Sequence, residues 1–150
     1  MGNRYLVARD NVTLTGGQDA LTIISGTGRR IRLVSISVAG RGTSSAAQQF
    51  QIGRSAAGTT PGGPIVPSKD GHSDQVASNF TTATTWSVQP VLETNYEVVG
   101  WNALGSGHRA AWGGPQQPKI EARNGECISI RAPTGPTYQP ASFSVVVEED

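Results

Sequence analysis

The chain has 150 residues, enough for one domain that buries roughly 68–70% of the surface its unfolded form exposes, so neither a metal nor a disulfide is needed to complete its core. A formal net charge of +1 excludes a general electrostatic grip on nucleic acid or an anionic membrane, and charged residues make up 15% against about 25% in ordinary soluble domains. Cys127 is the single cysteine, which excludes an intrachain disulfide and leaves a reducing cytosol sufficient for assembly.

The opening MGNRYLVARD has no apolar h-region, and no apolar run reaches the roughly 18 residues of a membrane span, so the protein is expected to be soluble and unexported. Period-two patterning predicts strands at Arg4–Ala8, Ala20–Ser25, Arg29–Ala39 and Gln48–Arg54. In the third of these the apolar phase shifts from Ile31 and Leu33 to Val34, Ile36 and Val38, which predicts a bulge near Val34 or a strand covered on both sides. Arg30 and Arg32 share the face opposite Ile31 and Leu33, either as a solvated strand face or as partners for acidic groups on another subunit.

The stretch from Gly53 to Asp74 is long for a loop in a compact domain, and such loops are usually functional or poorly ordered. Its Gly53 to Thr60 segment has the glycine spacing of a phosphate loop but carries Thr59 where the lysine belongs, and Pro61 and Pro64 block the helix that should follow. Asp70, His72 and Asp74 project from one side of an extended segment, an arrangement open to a hard divalent ion or to a solvated turn around Asp70-Gly71.

Further strands are predicted at Thr84–Gln89, with Trp86 and Val88 in phase and Trp86 in the core, and at Asn95–Trp101. Then comes a stretch rich in small residues that holds Trp101, His108, Arg109 and Trp112. Its letters G-S-G-H-R-A match a dinucleotide fingerprint, but no helix follows and no βαβ unit surrounds them. A buried tryptophan removes some 150–250 Å² from water, so the two rings need cover. They cap the domain's own core, bury against another subunit, or offer a platform to a sugar ring.

The last strands are predicted at Glu126–Arg131 and Ala141–Glu148, with weaker segments at Asn11–Thr15, Asp74–Phe80 and Pro118–Arg123. No stretch shows helical periodicity. The pattern predicts an all-β sandwich, a jelly roll of about eight antiparallel strands. For nucleophilic chemistry only His72 and His108 are available as bases, no G-x-S-x-G elbow exists, and Cys127 lies among apolar strand neighbours as an inert thiol. No catalytic, cofactor or metal motif is assigned, and no enzymatic activity is expected.

Across Ala20 to Glu149 the chain resembles the small jelly-roll decoration, or cement, proteins of tailed-bacteriophage capsids. The likeness rests on GRRIRLVSISVAG followed by QQFQIGR, on the Gly- and Thr-rich middle, on the G-E-x-I-x-I run from Gly125 to Ile130, and on RAPTG with the final SFSVVVEE. The resemblance implies a homotrimer on the outer surface of a virion, bridging major capsid protein subunits after assembly in the host cytoplasm. It also implies that residues 1–19 form an N-terminal arm with a possible edge strand, ahead of a single domain at 20–150. Such an arm would offer Tyr5 and Leu6 as apolar contacts and Arg4 and Arg9 as charged ones. A β-sandwich carbohydrate-binding module reading glycans through Trp101 and Trp112 is the alternative.

Overall fold

The computed structural model describes residues 2–70, 76–105, 107–112, 114 and 119–150. In chain order the strands are β1 (Asn3–Val12), β2 (Gln18–Ile24), β3 (Arg30–Gly40), β4 (Ala47–Ala56), β5 (Thr59–Gly62), β6 (Ser68–Lys69) and β7 (Thr81–Ala83). They continue as β8 (Thr85–Val88), β9 (Val91–Leu92), β10 (Glu97–Asn102), β11 (Gly107–Ala111), β12 (Glu121–Arg123), β13 (Cys127–Ala132) and β14 (Ala141–Glu149).

Eight principal strands carry the architecture. One sheet runs β11-β3-β14-β1 and continues to the short β6, with β12 also on β3; the other runs β10-β4-β13-β2 and continues to β7, with β9 on β4. All pairs are antiparallel. Each sheet draws alternately from the early and late parts of the chain, which is the double Greek key of a jelly roll. The expected fold class is therefore the observed one.

Alternation explains the core. Phe50 and Ile52 of β4, Ile128 and Ile130 of β13, and Leu21 and Ile23 of β2 all point inward from one sheet at 0% exposure. Tyr5 and Val7 of β1, Val145 and Val147 of β14, and Ile31, Leu33, Ile36 and Val38 of β3 meet them from the other. The Phe50 ring lies 5.2 Å from Phe143 and 4.6 Å from Trp101, within the range where aromatic pairs attract beyond simple burial.

The bulge expected near Val34 is present. Leu33 pairs with Val147 while Ser35 pairs with Val146, so Val34 is the extra residue in β3. The phase change keeps Leu33 and Ile36 both inward. On the other flank of β3 the Trp112 N–H donates to the Val34 carbonyl (2.9 Å), and the Leu33 N–H donates to Ile120 (2.9 Å). β11 pairs above this point and β12 below it.

Four expectations are corrected. Residues 3–12 do not stand off as an arm in this chain: β1 pairs with β14 over most of its length, and Tyr5 is a core residue, its ring 5.4 Å from Phe80 and its hydroxyl donating to Val76 O (2.9 Å). As far as Asp70, the segment after Gly53 is not an unstructured loop, because β5 pairs with β8 as a small two-stranded sheet and β6 pairs with β1. Trp86 lies on that small sheet, half-buried and outside the central core, while Val88 is 60% exposed. Residues 76–80 form no strand, since Phe80 turns inward to meet Tyr5.

Candidate interaction face

The two outer faces of the sandwich differ in kind. On the β2/β13 half of one sheet the outward residues are polar and yet buried: Asp19, Thr22, Ser55 and Ser129 are all at or below 4% exposure. The Asp19 carboxylate accepts from Thr22 Oγ1 (2.6 Å), Ser129 Oγ (2.6 Å) and Arg131 Nε (2.8 Å), and Ser129 meets Ser55 at 2.6 Å. The segment from β8 to β9 closes over them, as Trp86 Nε1 donates to Thr22 Oγ1 (2.9 Å) and the Asp19 N–H donates to the Gln89 side chain (3.0 Å). Arg131 also donates to the Pro90 carbonyl. Both oxygens of the carboxylate are engaged, so this is a sealed structural lock.

Among the described residues the outer face of the β11-β3-β14-β1 sheet carries no such cover. Four strands there present successive rows. The first is Arg4, Glu148, Arg32 and Glu121, placed side by side by the pairing of Arg4 with Glu148, Glu148 with Arg32, and Arg32 with Glu121. Glu148 is only 4% exposed because it lies between the two arginines, both of which donate to it. Next come Leu6, Val146 and the bulged Val34. Beyond them the outward side chains of β14 and β3, with Ala8 of β1, are small: Ala8, Ser144 and Ser37, then Ser142 and Ala39. These floor an open, largely apolar hollow of about 690 Å³. Asp10 stands on its β1 rim, with Oδ1 accepting from Ser142 Oγ at 2.5 Å, and the exposed Arg109 stands on its β11 rim.

The sequence candidates divide on this map. Arg4, Leu6, Arg32 and Arg109 share the open face; Leu6 is 39% exposed. His108 is exposed on β11 at the hollow's edge, on the register position opposite the inward Val38. Arg30 pairs with Asp150 of its own chain and Arg32 with Glu148, so the acidic partners of this cluster are internal. That hydrogen bond from Arg30 holds the Asp150 carboxyl below the usual carboxylate range. Arg9 turns inward, donates to the Ala20 carbonyl (2.6 Å), and burial lowers its pKa. Tyr5 and Trp101 are core residues. Trp101 is 7% exposed against Phe50, and Trp112 packs partly buried on the same core. The tryptophan stretch thus caps its own domain, the first of the three resolutions.

Asp10, Ser37, Ser144 and Glu121 were not singled out in the sequence. Their common signal is the small or charged outward position on strands whose inward positions are large, and only the strand order brings them together.

A second opening, polar and about 490 Å³, lies beside Arg54, Glu93, Tyr96, Glu97, Lys119 and Glu121. Arg54 and Glu93 neutralise each other within it (2.8 Å). Of the metal candidates, His72 and Asp74 lie outside the described residues; among the described residues no three His, Cys, Asp or Glu groups converge. Cys127 is fully buried, and burial, with the charges of Asp19 and Glu126 behind it, pushes its thiol up to about 11. Comparison with protein-family models, curated proteins and solved structures finds no match to this chain.

Proposed function

We propose that the chain is a non-enzymatic structural protein of a virion, a decoration protein that contacts other protein subunits on a capsid surface and resists their separation. The observation that carries this reading is the open face just described: a small-residue hollow on the outer side of the β11-β3-β14-β1 strands, with charged side chains at its margins. Small outward side chains let another backbone come close, and a surface with little charge at its centre is cheap to desolvate. The resemblance to capsid decoration proteins supplies the setting, with the major capsid protein and copies of this chain as partners. Of the two rings on which the glycan-binding alternative relies, Trp101 is 7% exposed and Trp112 is partly buried, so that reading keeps at most one ring as a platform.

Cosedimentation with emptied, expanded heads of tailed bacteriophages tests the proposal. Wild-type protein is expected to bind at micromolar concentration, and Ser37→Arg, which fills the hollow, is expected to lose binding. Absence of binding by a correctly folded wild type across such heads would remove the capsid reading.

A further inference from the structure

The asparagines of the chain are Asn3, Asn11, Asn79, Asn95, Asn102 and Asn124, and of these Asn124 alone is followed by glycine. That neighbour matters for covalent chemistry. A glycine nitrogen has no side chain beside it to hinder its approach to the carbonyl carbon of the preceding side chain.

Asn124 and Gly125 are the central residues of the turn that joins β12 to β13, closed by the Glu126 N–H donating to the Arg123 carbonyl (3.1 Å). Their φ angles of 55° and 86° are those of a type I′ turn, whose two left-handed positions favour Asn-Gly. The pair that shapes the turn is also the pair able to react within it.

Both reacting groups are tethered, and both tethers come from the turn between β2 and β3. Asn124 Oδ1 accepts from the Gly28 N–H (3.1 Å), and the Gly125 N–H donates to Ser25 Oγ (3.0 Å). Ser25 is itself fixed: it is buried, and its hydroxyl (2.8 Å) and its N–H (3.1 Å) both donate to the Glu126 carbonyl. One tether pins the side-chain carbonyl that would be attacked, while the other engages the amide proton that the attacking nitrogen must lose. Asn124 and Gly125 are otherwise exposed to water.

We propose that Asn124 is a site of intrinsic covalent modification, which deamidates through a cyclic imide when the contact between these two turns opens. The Gly125 nitrogen gives up its proton to hydroxide and bonds to Asn124 Cγ; the Cγ–Nδ2 bond breaks, and Nδ2 takes up a proton and leaves as ammonia. Water then opens the imide at either carbonyl, leaving aspartate or isoaspartate at position 124. The aspartate product keeps a carboxylate oxygen for the Gly28 N–H and lowers the net charge by one. The isoaspartate product adds a methylene to the main chain inside the turn, which pushes β12 out of its pairing with Arg30, Ile31 and Arg32 of β3.

Peptide mapping by mass spectrometry, with the two products separated by chromatography, tests the proposal on the full chain at mildly alkaline pH. In unfolding urea, wild type is expected to deamidate at Asn124 ahead of the other five asparagines, and in the folded state at least about tenfold more slowly. Ser25→Ala removes one tether and is expected to speed the folded-state reaction about tenfold, yet to match wild type in urea, where the tether does not exist. Ser142→Ala, on the strand position opposite Ala39 at the far end of β3, is expected to leave the rate unchanged. Circular dichroism confirms the fold of each variant, and the comparison of folded with unfolded wild type needs no variant at all. Faster reaction at another asparagine in urea overturns the assignment of the site. Equal rates for folded and unfolded wild type, or a folded Ser25→Ala no faster than wild type, overturn its protection by the β2–β3 turn.

Discussion

Replacing Arg131 by methionine is expected to cost about 3–5 kcal/mol, a large part of the roughly 5–15 kcal/mol that stabilises a domain of this kind. The Asp19 side chain is 0% exposed and that of Arg131 only 15%, so the substitution strands a carboxylate between Thr22, Ser129 and the covering β8–β9 segment with its cation gone. At roughly 2–4 °C per kcal/mol for a chain of this length, the midpoint of thermal unfolding should fall by roughly 10 °C. Urea unfolding followed by circular dichroism reads the free energy without relying on any one tryptophan. Arg54→Met supplies the contrast: its partner is Glu93, both side chains are 47% exposed, and solvent screening holds its cost to about 1 kcal/mol or less. Asp19→Asn combined with Arg131→Met removes both charges, so the double variant should be more stable than Arg131→Met alone. If Arg131→Met and Arg54→Met cost the same, the lock beneath the β8–β9 segment carries no special weight and the reasoning fails.

Cys127 should resist thiol reagents in the native state and react at the rate of global opening, a rate that denaturant raises. Its thiol ionises near 9 when unfolded and at about 11 when folded; between those pH values the folded state holds a proton that the unfolded state has released, so stability falls as pH rises, by up to about 3 kcal/mol, and Cys127→Ala should flatten that slope. Trp101→Ala should cost about 3–5 kcal/mol, while Trp101→Phe should cost much less: among the described residues the buried indole Nε1 has no acceptor, so removing it relieves an unsatisfied donor. Equal losses in urea unfolding for the two variants would show that this N–H is satisfied.

The core was legible because its signal is local. In QQFQIGR the alternation puts Phe50 and Ile52 on one side whatever lies opposite, and the broken phase of RIRLVSISV required an extra residue near Val34, where the pairing with β14 places it. Trp86 shows the limit. Alternation says which residues share a face of a strand, but not which layer the strand joins, and β8 pairs with β5 above the sandwich rather than inside it. β11 was missed for a different reason: GHRAA offers the core only Ala110, and an edge strand needs little more than backbone groups to complete the ladder on β3.

The candidate face was illegible for a reason that bears on what it is for. Ala8, Ser37, Ala39, Ser142 and Ser144 each look unremarkable beside the large inward residues that flank them, and only the jelly-roll order β1-β14-β3-β11 gathers them into one floor. The same fold treats its other outer surface oppositely. There Thr22, Ser55 and Ser129 are just as small, but the segment from β8 to β9 seals them over a buried ion pair. Among the described residues the hollow between Asp10 and Arg109 has no such cover, so the same choice of small outward residues gives a closed surface on one sheet and an open one on the other.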